Sequence, residues 1–156
     1  MKKQNYQIFC DMDGVLTDFE SAYERVSGRK INDEVSSREF WEPINKAGLS
    51  FWTELKWMSD GKQLWNYIKK HKPKILSAPS RSEDSVVGKK QWVKRELPTS
   101  ELILRSARNK KEFASPTTIL IDDKQENIQD WIDAGGIGIL HVNTKNTIDQ
   151  LKVLKL

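Results

Sequence analysis

Residues 8–18 read Ile-Phe-Cys-Asp-Met-Asp-Gly-Val-Leu-Thr-Asp, an apolar run that ends in acidic residues. A short apolar run, typical of a buried strand, delivers two carboxylates, Asp11 and Asp13, to a turn that Gly14 permits. Side chains alternate along a strand, but that alternation lapses where the chain leaves it, so both carboxylates can face one cleft. Adjacent carboxylates repel each other, and a bound divalent cation commonly offsets this repulsion. The stretch therefore predicts a metal or catalytic site, although Asp-Gly is also ordinary turn punctuation.

Strand-like runs recur along the chain. The predicted strands cover residues 6–10, 74–77, 101–104, 118–121 and 138–142. The near-continuous apolar character of the last two runs indicates strands that are covered on both faces, as in a parallel sheet between helix layers. We therefore predict an α/β fold with a five-stranded parallel sheet.

Segments with helical spacing separate these runs. Phe19, Ala22, Tyr23 and Val26 follow the pattern of an amphipathic helix, and Gly28 stands where such a helix can end. Apolar spacing or capping residues predict further helices at 64–68, after an N-cap at Ser82, at 128–132 and at 147–154. The alternation of strands and helices supports the parallel sheet.

The gap between the first two strands is longer than a simple crossover requires. It is rich in large aromatic residues and contains Pro43, Gly48 and Gly61 as helix punctuation. This composition predicts a small inserted helical cap with its own apolar centre. We therefore divide the chain into a core over 1–16 and 74–156 and a cap over 17–73.

The length and net charge of the chain limit the classes of function that we expect. The chain has 156 residues and a net charge of +4, with its basic residues scattered as on solvated helix faces. This balance does not indicate a nucleic-acid groove. No apolar run approaches the ~20 residues of a membrane span, and none precedes the first acidic pair, so we expect no membrane association and a cytoplasmic location.

A second acidic pair, Asp122-Asp123, directly follows the predicted strand at 118–121. Ser77 ends another strand, and the lysine pair at 110–111 precedes the second acidic pair. Because ligands of open parallel sheets bind at the carboxyl ends of strands, these distant residues can converge on one site. Each also has an ordinary interpretation: the acidic pair could cap the next helix, and the lysines could be a solvated face.

In this order, the motifs resemble those of the haloacid dehalogenase-like (HAD) hydrolases. Residues 11–15 resemble the first motif, Ser77 the second, Lys110 or Lys111 the third, and 122–123 the fourth. Flanking segments resemble those of the 5'(3')-deoxyribonucleotidase-like phosphatases of that superfamily; these segments are 11–20, 51–52, 57–58, 90–93 and 120–123. The resemblance implies a Rossmann-like three-layer core with a small helical cap inserted after the first strand.

The resemblance also implies a role for each motif residue. Asp11 is the expected nucleophile that forms an aspartyl-phosphate, and Asp13 is the expected general acid and base. Ser77 and the backbone amides near Ala78 are expected to bind phosphate, together with Lys110, which we favour over Lys111. The expected cofactor is Mg²⁺, held by Asp11, the backbone carbonyl of Asp13, and one or both of Asp122 and Asp123.

The expected function is Mg²⁺-dependent hydrolysis of a small phosphomonoester, as in a 5'-nucleotidase acting on (deoxy)nucleoside monophosphates. Aromatic residues of the cap could stack on a nucleobase or could build the cap's core; they are Phe19, Phe40, Trp41, Phe51 and Trp52. A polynucleotide end phosphatase and a non-catalytic nucleotide-binding module are the alternatives. A cap-mediated homodimer is a further open alternative.

Overall fold

Five parallel strands form the centre of the protein, in a computed structural model that describes residues 4–156. The strands are β1 (Gln7–Cys10), β2 (Lys74–Ser77), β3 (Leu102–Leu104), β4 (Thr118–Asp122) and β5 (Ile137–Leu140). They lie in the order β3-β2-β1-β4-β5, and each neighbouring pair is parallel. This sheet confirms the predicted α/β fold.

Residues 4–156 contain seven α helices. They are α1 (Phe19–Ser27), α2 (Ser37–Ala47), α3 (Leu49–Thr53), α4 (Gly61–Ile68), α5 (Glu83–Glu96), α6 (Gln125–Asp133) and α7 (Thr144–Val153). Short 3₁₀ helices cover Lys69–His71 and Ala107–Phe113. None of the helices in this described range has the length and apolar character needed to cross a bilayer.

Both faces of the sheet are covered, which explains why its strands are almost continuously apolar. In β1, Ile8 and Cys10 belong to one apolar cluster, whereas Phe9, on the opposite face, belongs to another. Trp92 of α5 packs into the first cluster, and Trp131 of α6 packs into the second. The sheet therefore lies between two helix layers, as the predicted three-layer sandwich requires.

The element bounds near the carboxyl terminus differ from the prediction. Strand β5 ends earlier than expected because the chain turns outward: Val142 is 72% exposed. Helix α7 begins three residues earlier, at Thr144. Asn143 is its N-cap, and the side chain accepts a hydrogen bond from the backbone N–H of Asn146 at 2.8 Å. A local capping interaction therefore sets a boundary that the apolar spacing did not indicate.

Pro43 does not interrupt a helix, contrary to the sequence-based expectation; it lies inside α2. Proline has no N–H, so it leaves the carbonyl of Glu39 without its usual helical donor. The Nη1 atom of Arg29 donates to that carbonyl at 3.0 Å instead. The other punctuation residues act as expected at helix ends: Gly48 ends α2, and Gly61 begins α4.

The helices between β1 and β2 share their apolar core with the sheet. Tyr23 and Ile44 of this insertion belong to the same continuous cluster as Ile8 of β1. The expected separate apolar centre is therefore not observed. Tryptophans contribute to the contact between the insertion and α5, since the ring centroids of Trp57 and Trp92 lie 5.1 Å apart. The insertion is thus packed directly onto the layer that contains α5.

A glycine allows this close packing. A Cβ atom at Gly88 of α5 would overlap the side chain of Trp52 in α3. Trp52 is itself buried, so its ring has little room to move away. The absence of a side chain at Gly88 therefore allows α3 to pack close to α5.

We expect Gly88→Ala to lower the free energy of unfolding by about 1–3 kcal/mol, the usual cost of overpacking. At an open helix position the same change would stabilise by roughly 0.5–1 kcal/mol, so the sign is diagnostic. Urea denaturation followed by tryptophan fluorescence measures the change. Lys90→Ala, at an exposed position of the same helix, is the matched control and should shift stability by less than about 0.5 kcal/mol. A more stable Gly88→Ala protein would contradict the close approach.

Candidate active site

The two acidic pairs meet at one edge of the sheet. Strands β1 and β4 are neighbours with Cys10 beside Ile121, so Asp11 and Asp122 lie side by side. The backbone N–H of Asp11 donates to the carbonyl of Ile121 at 2.9 Å. The order of the strands reverses here, because β2 and β3 lie on one side of β1 and β4 and β5 on the other. Ligands of open parallel sheets bind at such a point.

Lys110 reaches these carboxylates from the 3₁₀ helix Ala107–Phe113. Its Nζ atom lies 3.1 Å from Asp11 Oδ1 and 2.8 Å from Asp122 Oδ2, and the residue is 2% exposed. Successive residues of a 3₁₀ helix are rotated by about 120°, so Lys111 cannot share this direction, and it is exposed. Of the two candidate lysines, the structure places Lys110 in the site.

Both oxygens of the Asp122 carboxylate accept hydrogen bonds from protein groups. Its Oδ2 accepts hydrogen bonds from Lys110 and, at 3.1 Å, from Nδ2 of Asn127. Its Oδ1 accepts from the backbone N–H of Lys124 at 2.9 Å. The N-cap of α6 is Lys124 rather than either aspartate, so the capping alternative for this acidic pair does not hold. Asp122 is therefore a buried, fixed anion next to Asp11.

Asp123 keeps an oxygen that could bind a cation. Its Oδ1 is buried and has no hydrogen-bond partner within the described residues. Its carboxylate lies against Gly14, where any Cβ atom would overlap it and where φ is +84°. Oxygen atoms of Asp11, Asp122 and Asp123 lie within 4.8 Å of one another. An all-oxygen donor set with an unpartnered buried oxygen fits Mg²⁺.

The charges of this cluster are not balanced. Burial raises the pKa of Asp11 well above its ordinary value; Lys110 opposes this shift, and the neighbouring carboxylates reinforce it. Burial and the charge of Asp122 raise the pKa of Asp123 to about 6. Burial alone would lower the pKa of Lys110, but attraction to Asp11 and Asp122 outweighs it and raises that pKa. Lys110 contacts two of the three carboxylates, and Lys124 acts on Asp123 through its charge, so the carboxylates still outnumber the ammonium groups and a divalent cation would supply the missing charge.

Asp13 faces a different set of groups, although it lies only two residues from Asp11. Its Oδ2 accepts a hydrogen bond from Nζ of Lys89 at 2.9 Å, and its Oδ1 accepts from the hydroxyl of Thr17 at 2.7 Å. Lys89 also donates to Oγ of Ser77 at 2.9 Å. Lys89 and Ser77 are each 1% exposed, whereas the side chain of Asp13 is 26% exposed. Asp13 is therefore oriented by its neighbours and still accessible.

The sequence interpretation missed Lys89. Its ammonium lies 5.2 Å from the ring centroid of Trp52, in addition to its two hydrogen bonds. A signal was present, because Lys89 falls on the buried stripe of α5 that also contains Ser85, Gly88, Trp92 and Val93. A lysine on a buried stripe needs an anionic or polar partner. Its place in a Lys-Lys pair made it look like part of a solvated face.

The five predicted pocket aromatics pack together around Phe19. Its ring centroid lies 5.5–6.4 Å from those of the other four, Phe40, Trp41, Phe51 and Trp52. Phe51 and Trp52 are buried. Trp41 also lines a cleft of about 920 Å³ between α2 and residues 79–82, which we name the α2 cleft. The aromatic set thus belongs to the apolar cluster that the insertion shares with the sheet, and Trp41 is its member at this opening.

Without metal, we expect Asp123→Asn to raise the melting temperature near neutral pH, because it removes a carboxylate that burial disfavours when charged. The folded-state pKa of about 6 exceeds the ordinary 3.8, so this group makes folding less favourable as pH rises through that window. The advantage of the variant should therefore shrink as pH falls from about 7 towards 4. Thermal unfolding in EDTA at several pH values measures it.

The matched control is Asp149→Asn, which changes an exposed aspartate in a surface pair with Lys145. It should show no comparable dependence on pH. A lower melting temperature for Asp123→Asn in EDTA at neutral pH would show that the carboxylate is already balanced by the protein, and would contradict this interpretation.

No protein-family model and no curated protein sequence matches the chain. Solved structures do match. A predicted phosphatase from Clostridium acetobutylicum has a TM-score of 0.59 at 16% identity, covering 97% of this chain and 99% of that one. A HAD-superfamily hydrolase from Ehrlichia chaffeensis has a TM-score of 0.55 at 14% identity, covering 100% of both chains. A HAD-hydrolase from Bacillus subtilis, bound to magnesium, has a TM-score of 0.55 at 11% identity, covering 99% and 100%. The chain therefore shares its fold with HAD-superfamily hydrolases.

Proposed function

We propose that the protein is a Mg²⁺-dependent phosphomonoester hydrolase that forms an aspartyl-phosphate on Asp11. One observation carries the proposal: Asp11 and Asp13 leave the same strand end but contact different buried lysines, Lys110 and Lys89. Hydrolysis through a covalent intermediate needs two carboxylates with different tasks. The shared fold of HAD-superfamily hydrolases supports this assignment.

Asp11 is suited to nucleophilic attack. Lys110 contacts its Oδ1 at 3.1 Å and holds the carboxylate in one orientation. In the first step, a carboxylate oxygen attacks phosphorus, the bond from phosphorus to the ester oxygen breaks, and an aspartyl-phosphate forms. Positioning supplies much of the rate enhancement in such phosphoryl transfers.

Mg²⁺ would be held by Asp11 and Asp123, with Asp122 behind them and the backbone carbonyl of Asp13 as a further ligand. The unpartnered oxygen of Asp123 and the uncompensated charge of the cluster support this ligand set. When bound, the ion supplies positive charge that offsets the repulsion between the Asp11 carboxylate and the substrate phosphate.

Asp13 is suited to proton transfer. Lys89 and Thr17 fix its two oxygens, and the side chain is still partly exposed. It donates a proton to the ester oxygen as that oxygen leaves. It then takes a proton from the water whose oxygen attacks phosphorus, so that inorganic phosphate is released and the Asp11 carboxylate is restored.

The phosphate would bind between the two lysines. Ser77 accepts a hydrogen bond from Lys89, so its hydroxyl hydrogen is free to be donated to a phosphate oxygen. The backbone amides near Ala78 can add further donors. We therefore add Lys89 to Ser77, Ala78 and Lys110 as a proposed phosphate-binding residue.

We further propose that the substrate is a (deoxy)nucleoside monophosphate. One wall of the α2 cleft begins at Pro79, two residues beyond Ser77, so the loop that follows the proposed phosphate-binding residue also lines the cleft. Its volume of about 920 Å³ suits a nucleotide, and Trp41 offers an aromatic face for a base. Phe19 and the other aromatics would support Trp41 from within the insertion.

We expect Asp13→Asn to lower kcat by about 10²–10⁴-fold, the usual contribution of a general acid and base. Mg²⁺ affinity should change little, because the proposed ligand at this residue is its backbone carbonyl. Steady-state phosphate release and calorimetric titration with Mg²⁺ measure the two effects. A variant that retains the wild-type kcat would contradict the proton-transfer role.

A screen for phosphate release tests the proposed activity. The panel contains ribonucleoside and deoxynucleoside monophosphates, sugar phosphates and 3'-phosphorylated oligonucleotides, each with Mg²⁺ and with EDTA. We expect hydrolysis of nucleoside monophosphates that EDTA abolishes. Preferred hydrolysis of the oligonucleotides, with a strong dependence on salt, would favour a polynucleotide end phosphatase instead. Inactivity on the whole panel would favour a non-catalytic nucleotide-binding module.

A further inference from the structure

The α2 cleft contains two arginines that the proposed chemistry does not use. Arg38 lies in the first turn of α2, and Arg81 lies in the loop that follows β2. Within residues 4–156, neither guanidinium forms an ion pair or a hydrogen bond. Glu42 is the acidic residue that lines the same cleft. The cleft therefore has a net positive charge.

The position of Arg81 is set by a fixed loop. The hydroxyl of Ser80 accepts a hydrogen bond from the backbone N–H of Ser82 at 3.2 Å. The buried hydroxyl of Ser85 donates to the carbonyls of Ser80 and Ser82 at 3.2 Å and 2.9 Å. These bonds hold the backbone on both sides of Arg81. The backbone at Arg81 is therefore fixed four residues after Ser77, the proposed phosphate-binding residue, and the side chain of Arg81 lines the α2 cleft.

The reacting phosphate has cations of its own. Lys89 of α5 and Lys110 of the 3₁₀ helix Ala107–Phe113 are both buried. Their ammonium groups contact Asp13 and Asp11, respectively. A single phosphate held there leaves the two guanidinium groups of the α2 cleft without an anion. A planar guanidinium group can donate two parallel hydrogen bonds to two oxygens of one phosphate, which a lysine ammonium cannot do with the same geometry. The arrangement suits a ligand with two separated anionic groups.

We propose that the leaving group of the substrate carries a second phosphate, which Arg38 and Arg81 bind in the α2 cleft. This inference rests on the proposed phosphatase function and changes the preferred substrate from a nucleoside monophosphate to a small bisphosphorylated compound, such as a nucleoside bisphosphate, with monophosphates as weaker ligands of the same site. A small compound fits better than a nucleic-acid strand, because a strand needs an extended basic track, whereas this cleft has two arginines and one glutamate.

Binding of a nucleoside 3',5'-bisphosphate and of the matching 5'-monophosphate tests the proposal. Calorimetric titrations use the full chain with Asp11→Asn, which leaves the ligands uncleaved, in Mg²⁺. We expect the bisphosphate to bind about tenfold more tightly than the monophosphate. Adding Arg38→Gln and Arg81→Gln should abolish this ratio. Arg25→Gln, an exposed arginine on α1 outside the cleft, should leave the ratio unchanged.

Equal affinities for the two nucleotides, or a ratio that persists in the double arginine variant, would overturn the inference. A 3'-phosphorylated decanucleotide that binds more than about tenfold more tightly than the bisphosphate would overturn it in favour of a strand. Hydrolysis of p-nitrophenyl phosphate by the unmodified protein reports separately on the proposed function. If that hydrolysis is absent while the affinity ratio depends on the arginines, the phosphatase proposal fails and the second binding site remains.

Discussion

Asp11→Asn is expected to lower kcat for phosphomonoester hydrolysis by at least about 10³-fold, because the neutral amide cannot form the aspartyl-phosphate. The fold should persist. Asp11 is a buried carboxylate whose pKa burial raises, so its replacement removes an unfavourable charge. Phosphate release in Mg²⁺ measures the loss of activity, and thermal unfolding confirms that the variant is folded.

The surface variant Asp149→Asn is the activity control for this experiment and should retain the wild-type rate. A folded Asp11→Asn protein that hydrolyses nucleotides at the wild-type rate would show that another group attacks phosphorus. In that case the site could still bind phosphate, but the assigned nucleophile would be wrong.

Lys110→Met is expected to destabilise the metal-free protein by about 3–5 kcal/mol, because it leaves two buried carboxylates without their ammonium partner. The side chain is 3% exposed and contacts both Asp11 and Asp122. Methionine keeps much of the length and apolar bulk, so the loss reports on charge rather than on volume. The effect should be larger at neutral pH than at acidic pH, because burial raises the pKa of Asp11 and its protonation removes one of the two charges that Lys110 balances. Urea denaturation in EDTA at two pH values measures it.

Lys111→Met is the matched control, since it changes the neighbouring lysine at an exposed position. It should alter stability by less than about 0.5 kcal/mol. Lys110→Met should also lower kcat/KM by about 10²-fold, because the ammonium orients Asp11 and balances the substrate's charge. Equal effects of the two substitutions on stability and activity would contradict the assignment of Lys110 to the site.

The sequence predicted the sheet well because its strands are buried on both faces. Runs such as Ile8-Phe9-Cys10 and Ile119-Leu120-Ile121 are apolar throughout, and their bounds agree with β1 and β4 to within a residue. The final helix was placed less well. Its start depends on the side chain of Asn143, a local hydrogen bond that apolar spacing does not reveal. Likewise, α2 continues through Pro43 because Arg29, fourteen residues earlier, takes the free carbonyl.

The candidate site was predicted only in part, because its motifs mark the strand ends but not the groups that orient them. Lys89 was hidden in a basic helical run, and its role depends on Gly88 and Trp52, which bring α5 close to the insertion. Asn127 is a second missed residue, since its bond to Asp122 follows from the start of α6. Contacts between distant segments decide these roles, and no single segment encodes them.

The α2 cleft could not be predicted from the sequence either. Arg38 and Arg81 are separated by more than forty residues and lie on different elements. Each alone is an ordinary exposed arginine. The packing of α2 beside the loop after β2 makes them a pair, and only the fold creates that juxtaposition.

The proposed mechanism requires that phosphorus becomes bonded to Asp11 during turnover. The most direct measurement is a single-turnover reaction with a radiolabelled nucleoside monophosphate and excess protein in Mg²⁺, quenched in acid at a series of times. Mass spectrometry of the digested protein then locates the phosphoryl group. We predict a transient label on the peptide that contains Asp11, which appears before free phosphate and decays as phosphate is released. Label on a different residue, or complete phosphate release with no labelled peptide at any time, would contradict the account.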